Sequence, residues 1–158
     1  MKNFITLLVL LMLIISCNDD NESVISATNL NVSSNAFESI RGKWELVSLD
    51  SQKMDATIVP PTTVTLEFES DLNEELKFFL GGNASCNQYG GELLKLDNNT
   101  IDFVQLYATE ALCPEPSWNE FEAVYFSMLF NSTEYSLSSE SLTLANDRET
   151  LLFTKAKE

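Results

Sequence analysis

The sequence predicts a mainly β domain, in which an antiparallel sheet curls towards closure and one amphipathic helix packs on it. Two observations favour this class. Short runs with apolar residues at alternate positions recur at regular spacing from Trp44 to Phe153, which is typical of a sandwich or barrel. One segment after Pro116 instead has its apolar residues at helical spacing. The length of 158 residues allows a single domain with a tail.

The clearest strand is Thr63–Glu69, where Val64, Leu66 and Phe68 point to one side of the sheet. Seven more strands are predicted at Lys43–Leu49, around Phe78 and Leu80, at Glu92–Leu96, around Ile101 and Phe103, at Thr133–Leu137, around Leu142 and Leu144, and around Leu151 and Phe153. With no long connections between them, such strands pair antiparallel, and closure removes their exposed edges.

Turn residues separate the strands. Asp97-Asn98-Asn99 tolerates positive φ and predicts a hairpin tip, and Asn146-Asp147-Arg148 predicts a second. The pairs Gly81-Gly82 and Gly90-Gly91 lie near strand ends, where they indicate a bulge or sharp bend.

The predicted helix follows Pro116, and Ser117 with Glu120 has the form of a capping box. Its apolar stripe consists of Trp118, Phe121, Val124, Tyr125, Met128 and Leu129. Phe126 and Phe130 widen the apolar side beyond this stripe. The spacing therefore predicts one helix, more than half buried, that packs on the sheet.

The chain begins like an exported lipoprotein. Phe4 to Ile15 is apolar except for Thr6, and it is too short to cross a bilayer core, which needs about 20 residues. The length suits a secretory signal peptide. Ile14-Ile15-Ser16-Cys17 resembles the bacterial lipoprotein cleavage box, which implies cleavage before Cys17 and diacylglycerol and acyl chains on that residue. The alternative is an ordinary signal peptide with Cys17 merely nearby.

These observations predict three regions: a lipoprotein signal peptide at 1–16, a lipidated N-terminus with a flexible acidic tether at 17–40, and a folded domain from 41 to 156. Asp19, Asp20 and Glu22 follow Cys17 directly. Such an acidic cluster resembles a signal for export to the cell surface, or it is a solvated start to the tether. Both interpretations place the protein in the bacterial envelope, anchored through lipid and expected at the outer membrane, on its periplasmic face or at the cell surface.

Cys86 and Cys113 remain as a pair once Cys17 carries lipid. Export places them where disulfides persist, and a bridge of this span would contribute about 3–4 kcal/mol. The alternative is a pair of free, reactive or metal-binding thiols. The sequence contains no histidine and no C-x-x-C motif to complete a zinc site or to activate a thiol. A structural disulfide is therefore the favoured interpretation.

Several segments are similar to the META-domain family. Gly82–Gly91, with Cys86, Asn87 and Tyr89, resembles its G-C-N-x-[YF]-x-G segment, and Thr109–Pro114 resembles its T-x-x-x-C-P segment. The resemblance extends over roughly residues 41 to 155, although Ser85 stands where the family usually has glycine. It implies a small, partly open β-barrel with one helix packed across it. It implies no agreed molecular activity, and links the family to envelope stress responses.

Composition limits the function. The formal net charge of −15 excludes a typical nucleic-acid binder, and the absence of histidine excludes histidine-based catalysis. We expect no catalytic residue, cofactor or metal. The first hypothesis is a non-enzymatic envelope lipoprotein that binds a protein partner. The alternative is a lipocalin-like carrier, with Phe68, Phe78, Phe103 and Phe153 lining a space for a small lipophilic ligand, although side chains can equally fill a barrel of this size.

Overall fold

The computed structural model describes residues 31–51, 62–71 and 77–157. Their elements in chain order are β1 (Asn31–Val32), α1 (Ser34–Ile40), β2 (Gly42–Asp50), β3 (Thr65–Asp71), β4 (Lys77–Asn83), β5 (Gln88–Asp97), β6 (Thr100–Ala108), α2 (Pro116–Phe130), β7 (Glu134–Leu137), β8 (Ser141–Ala145) and β9 (Thr150–Lys155). The predicted signal peptide, Cys17 and the acidic cluster after it lie outside the described residues.

Strands β2 to β9 form the predicted barrel. They are hydrogen-bonded in the order β5-β4-β3-β2-β9-β8-β7-β6, and β6 pairs back to β5 to close the ring. Neighbours in this ring are antiparallel, and all eight predicted strands are present. The predicted mainly β, antiparallel fold with one main helix is therefore confirmed.

The junction between β6 and β7 is the narrowest in the ring. In the described chain its register consists of one pair, Thr100 with Glu134. Two flanking bonds extend it slightly, from the Ile101 amide to the Thr133 carbonyl and from the Tyr135 amide to the Asn99 carbonyl. The ladder ends there, so that the barrel is open along the rest of β6. Helix α2 packs against β6 and β9.

Alternation along the strands builds the core. Leu66 and Phe68 of β3, Leu142 and Leu144 of β8, and Phe153 of β9 are fully buried or nearly so. They join the inward residues of the other strands and of α2 in a single apolar cluster. Burial of such side chains is the main source of folding free energy, at about 25 cal/mol per Å² of apolar surface.

Both predicted hairpin tips are present. Asn98 and Asn99 connect β5 and β6 with φ values of 47° and 65°, the left-handed conformation that asparagine tolerates best after glycine. Asn146 connects β8 and β9, and its side-chain oxygen accepts bonds from the backbone amides of Arg148 and Glu149. Side-chain capping of this kind is why asparagine favours turns.

The predicted bulges at the glycine pairs are wrong. The ladders of β3 with β4 and of β4 with β5 run without a register shift through Gly81, Gly82, Gly90 and Gly91. Gly82 and Gly90 are instead needed for close approach. A Cβ at Gly82 would overlap the backbone carbonyl of Thr65, and one at Gly90 would meet the ring of Tyr107.

The predicted tether does not include residues 31–40, because these residues are folded. Strand β1 pairs in parallel with β5, and α1 follows it with Ser33 as N-cap. Phe37 and Ile40 are fully buried, and the Trp44 indole donates a 2.8 Å bond to the Ile40 carbonyl. These apolar residues are isolated along the sequence, yet they lie three apart on one helical face.

The predicted helix is present as α2, but its predicted capping box is not formed. The N-cap is Glu115, without a side-chain capping bond, and Pro116 occupies the first turn. The Asn119 side chain instead fixes the preceding loop: it accepts a bond from the Cys113 amide and donates to the Cys113 carbonyl. Phe130, assigned to the apolar side, is about half exposed, at 49%.

Candidate functional site

The two cysteines meet at one end of the barrel. Cys86 lies in the loop between β4 and β5, and Cys113 lies in the loop before α2. Their sulfur atoms are bonded, and their Cα atoms are 5.7 Å apart, within the range that a disulfide requires. The predicted bridge is therefore confirmed, and it ties the start of the helix to the sheet.

A buried carboxylate lies beside this bridge. Glu122 of α2 is only 5% exposed. Its Oε1 atom accepts bonds from the backbone amides of Cys86 and Asn87, at 2.7 and 2.8 Å. Its Oε2 atom accepts a third bond, at 2.6 Å, from the side-chain amide of Asn87. Three donors therefore compensate the charge for the water lost on burial.

The Asn87 side chain extends this network to the loop before the helix. Its amide nitrogen also donates to the Ala111 carbonyl at 2.9 Å. Its oxygen accepts bonds from the Thr109 hydroxyl and the Ala111 amide, both at 2.8 Å. Within the described residues, no buried side-chain nitrogen or oxygen lacks a hydrogen-bond partner. The network thus holds two loops and a helix together as one unit.

The chemistry open to this cluster is limited. Cys86, Cys113 and Glu122 bring their sulfur and oxygen atoms within 4.8 Å of one another, a grouping compatible with a metal ion. A metal ligand must be a thiolate, however, and both sulfur atoms are joined to each other. The carboxylate is already occupied by three protein donors. The cluster is therefore built to brace the fold, and a metal ion would require prior reduction of the bridge.

Glu122 is not among the residues predicted from the sequence. A signal was present, because Glu122 lies four residues after Trp118 and three before Tyr125, on the apolar side of the helix rather than opposite it. A single acid on the buried face of a helix indicates a partner that donates hydrogen bonds. The partner, Asn87, lies in the motif next to Cys86, but no spacing along the chain connects two residues so far apart.

Ser85 occupies a strained position next to the bridge. Its φ is 134°, a region that glycine adopts freely and that other residues adopt at a cost of about 1–3 kcal/mol. This is the position at which the related motif usually has glycine. Its backbone carbonyl accepts a bond from the Thr62 hydroxyl, which helps to hold the conformation.

We therefore expect Ser85→Gly to stabilise the domain by about 1 kcal/mol, because relief of strain exceeds the added entropy of the unfolded chain. Urea unfolding of the two chains measures the difference. Ser85→Ala is the matched control, since it removes the hydroxyl but keeps Cβ, and it should lie within about 0.5 kcal/mol of the parent. Equal stability of the glycine and alanine variants would contradict the strain.

Two tyrosines form the centre of the interface between α2 and the sheet. The hydroxyl oxygens of Tyr89 and Tyr125 are 2.6 Å apart. Since Tyr89 donates its proton to the Thr65 carbonyl at 2.8 Å, Tyr125 donates the proton between the two hydroxyls. Burial, with the nearby Tyr125, raises the pKa of Tyr89 well above its ordinary value. Burial also raises the pKa of Tyr125, although the bond to Tyr89 partly lowers it.

The tyrosine pair predicts a loss of stability at alkaline pH. The folded pKa of each hydroxyl lies above its unfolded value of about 10, so the pair contributes its full stability below that pH and loses it as the pH rises further. Urea unfolding at increasing pH should show the free energy of unfolding decline above about pH 10. Tyr125→Phe should flatten this decline, whereas Tyr107→Phe, at an exposed position, should leave it unchanged. If the free energy of unfolding declined identically in the wild-type chain and in both variants, the decline could not be due to the buried tyrosine pair.

The four phenylalanines proposed to line a ligand space are all buried, with exposed fractions of 1% for Phe68, 5% for Phe78, 4% for Phe103 and 0% for Phe153. They belong to the same cluster as the inward face of α2. Phe78 also packs on Phe37 of α1, with ring centroids 4.4 Å apart. Mutual packing of this kind favours a barrel filled by its own side chains.

Cys17, the predicted lipid attachment, lies outside the described residues. Within the described part of the chain, no helix combines the length and apolar character needed to cross a membrane.

The fold and the site together define a class: a small antiparallel β-barrel, braced at one end by a disulfide and a buried Glu–Asn network. The META-domain family model matches residues 37–158, and the chain belongs to this family. The match begins within α1, in agreement with the early start of the domain.

Among curated proteins, the chain is 31% identical to "Heat shock protein HslJ" of Escherichia coli (strain K12) over 80 residues. The match covers 51% of this chain and 56% of HslJ, so the likeness spans about half of each protein.

Among solved structures, an NMR structure of a protein from Burkholderia xenovorans matches with a TM-score of 0.61 at 20% identity, over 81% of this chain and 91% of that one. A second NMR structure has a TM-score of 0.51 at 23% identity, over 74% and 91% of the two chains. Both show the fold alone.

Proposed function

We propose that this protein is a non-enzymatic binding module of the bacterial cell envelope, anchored at the outer membrane through lipid on Cys17. One observation carries the non-enzymatic part. The polar groups at the motif are committed to one another: Glu122 accepts three bonds, the Asn87 side chain makes four, and the cysteines are bonded. A catalytic acid, base or nucleophile needs an exchangeable proton or a free lone pair within reach of a substrate. In this cluster the two sulfur atoms are bonded to each other, and the carboxylate is buried with three of its acceptor sites filled.

Anchoring rests on the N-terminal sequence. Ser16-Cys17 after an apolar run supports lipidation, and two or more acyl chains hold a protein on a bilayer stably where one does not. The proposed tether is residues 18–30, since the first described strand starts at Asn31. A role in envelope stress is part of the proposal, supported by the family relationship to HslJ, which is named a heat shock protein.

Two measurements test the anchor and the partner separately. Metabolic labelling with radioactive palmitate should mark the wild-type chain and leave Cys17→Ala unmarked. Crosslinking in intact cells followed by mass spectrometry should identify a recurring envelope protein, and Cys17→Ala should lose it. An unlabelled wild-type chain overturns the anchor, and the repeated absence of any crosslinked neighbour overturns the binding role.

The carrier alternative is tested by native mass spectrometry of the purified chain. Because Phe68, Phe103 and Phe153 are buried among other core side chains, we expect the mass of the polypeptide without a retained lipophilic molecule. A bound molecule that survives purification would support the carrier instead.

A further inference from the structure

The edge of β6 that faces away from β5 is a candidate binding surface, to which the proposed function assigns no role. Strand β6 pairs with β5 along its length, but the described part of the chain gives it backbone partners on the other side only at Thr100 and Ile101. Within the described residues, the segment 102–108 therefore has no neighbouring strand on that side, and its Phe103 amide donates to the Asp102 carboxylate at 2.9 Å. Val104 and Tyr107 on this segment are exposed, at 43% and 66%. Natural proteins usually cover or charge such an edge, because it is a template for another strand.

An apolar cleft of about 370 Å³ lies beside this edge, between β6 and α2. Leu106, Tyr107 and Ala108 form one wall, and Phe126 and Phe130 form most of the other. Phe130 is half exposed although it is a large aromatic residue. An unpaired strand edge next to a groove that accepts apolar side chains is the arrangement used in recognition by strand addition.

Along the sequence, the elements that form the cleft carry charges of a single sign. No lysine or arginine occurs between Lys95 and Arg148, a stretch that contains β6, α2 and β7 and nine acidic residues. Glu110, two residues after Ala108, is exposed, and so is Glu120, one turn before Ala123 of the cleft wall. Glu134, paired with Thr100, is exposed at the other end. A segment that binds here gains from positive charges at its ends.

We propose that the cleft between β6 and α2 binds an extended segment of a partner protein, with apolar side chains in its middle and lysine or arginine at its ends. The segment's backbone pairs with the free edge of β6, and one of its apolar side chains enters the cleft beside Phe130. This deepens the proposed binding role and rests on it.

Charge argues against the other occupants. A second copy that docked through the same face would bring an acid-rich stretch without lysine or arginine to the cleft. The chain's own segment 18–30 carries Asp19, Asp20 and Glu22 and no basic residue, so it is repelled as well. An anionic lipid surface is disfavoured for the same reason.

The test uses the full chain in detergent micelles and an unbiased probe, a library of displayed twelve-residue random peptides. Panning should enrich peptides with alternating apolar residues and lysine or arginine at their ends. Fluorescence anisotropy with one enriched peptide should show at least tenfold weaker binding to Phe130→Ser. Val47→Ser is the matched control, since Val47 is an exposed apolar residue on β2, 58% exposed, away from the cleft, and binding should stay within twofold.

Hydrogen exchange then locates the bound peptide, which should slow the backbone amides of residues 102–108. The proposal is overturned if no peptide is enriched, if the enriched peptides lack basic ends, if both variants bind equally, or if the amides of β6 are unaffected. These failures are distinguishable from failure of the binding role itself. A recurring crosslinked neighbour that Phe130→Ser still captures would keep the role and remove this surface.

Discussion

Replacement of Glu122 by alanine is expected to lower the free energy of unfolding by about 3–4 kcal/mol. The carboxylate accepts three hydrogen bonds, from the amides of Cys86 and Asn87 and from the Asn87 side chain. Each buried donor left without an acceptor costs about 1–3 kcal/mol, and the two in the tight loop cannot easily reach water. A loss of this size is a large share of the roughly 5–15 kcal/mol that stabilises a domain.

Glu122→Gln separates the geometry of the network from its charge. One amide oxygen can still accept from the two backbone donors, but the new NH₂ group would face the NH₂ group of Asn87. We expect a smaller loss, of about 1–2 kcal/mol. Glu120→Ala is the matched control on the exposed side of the same helix and should change stability by less than about 0.5 kcal/mol. Equal urea midpoints for Glu122→Ala and Glu120→Ala would show that the network contributes nothing.

The strands could be predicted because their signal is local. Alternation in β3, β8 and β9 is strict, and the asparagines of the two hairpin tips provide turn chemistry at the required places. Strand β6 is less regular. Its register with β5 shifts near Leu93, so that Phe103 points inward while Tyr107, after the irregularity, lies over Gly90 on the outside. Period-two reasoning alone cannot locate such a shift.

The features that the sequence analysis missed all depend on distant partners. Helix α1 is short, and polar residues surround Phe37 and Ile40 in its sequence. Only the packing of Phe37 and Ile40 against the barrel distinguishes this segment from a tether. The role of Glu122 likewise depends on Asn87, which is near in space only because the barrel brings the loop after β4 to the helix. The disulfide could be predicted because only Cys86 and Cys113 remain once Cys17 is assigned to lipid, so that no structural information was needed to pair them.

Removal of the disulfide is the second large expected effect. The chain-entropy relation for cysteines 27 residues apart gives about 3.5 kcal/mol, and we expect Cys86→Ala with Cys113→Ala to lose close to that amount. Urea unfolding with and without reductant provides an internal control. Reductant should lower the free energy of unfolding of the wild-type chain to that of the double variant and leave the value for the double variant unchanged. A lower free energy of unfolding in both chains would mean that reductant acts on something other than the bridge.

The bridge and the carboxylate should also be energetically coupled. The amide of Cys86 itself donates to Glu122, so the bridge holds in place a donor that the carboxylate uses. Without the bridge this loop can move and its amides can reach water, and Glu122→Ala should then cost at least about 1 kcal/mol less than in the bridged chain. A double-mutant cycle measures this difference. Strict additivity would mean that the loop keeps its conformation without the disulfide, and that the bridge stabilises the domain only through the unfolded chain.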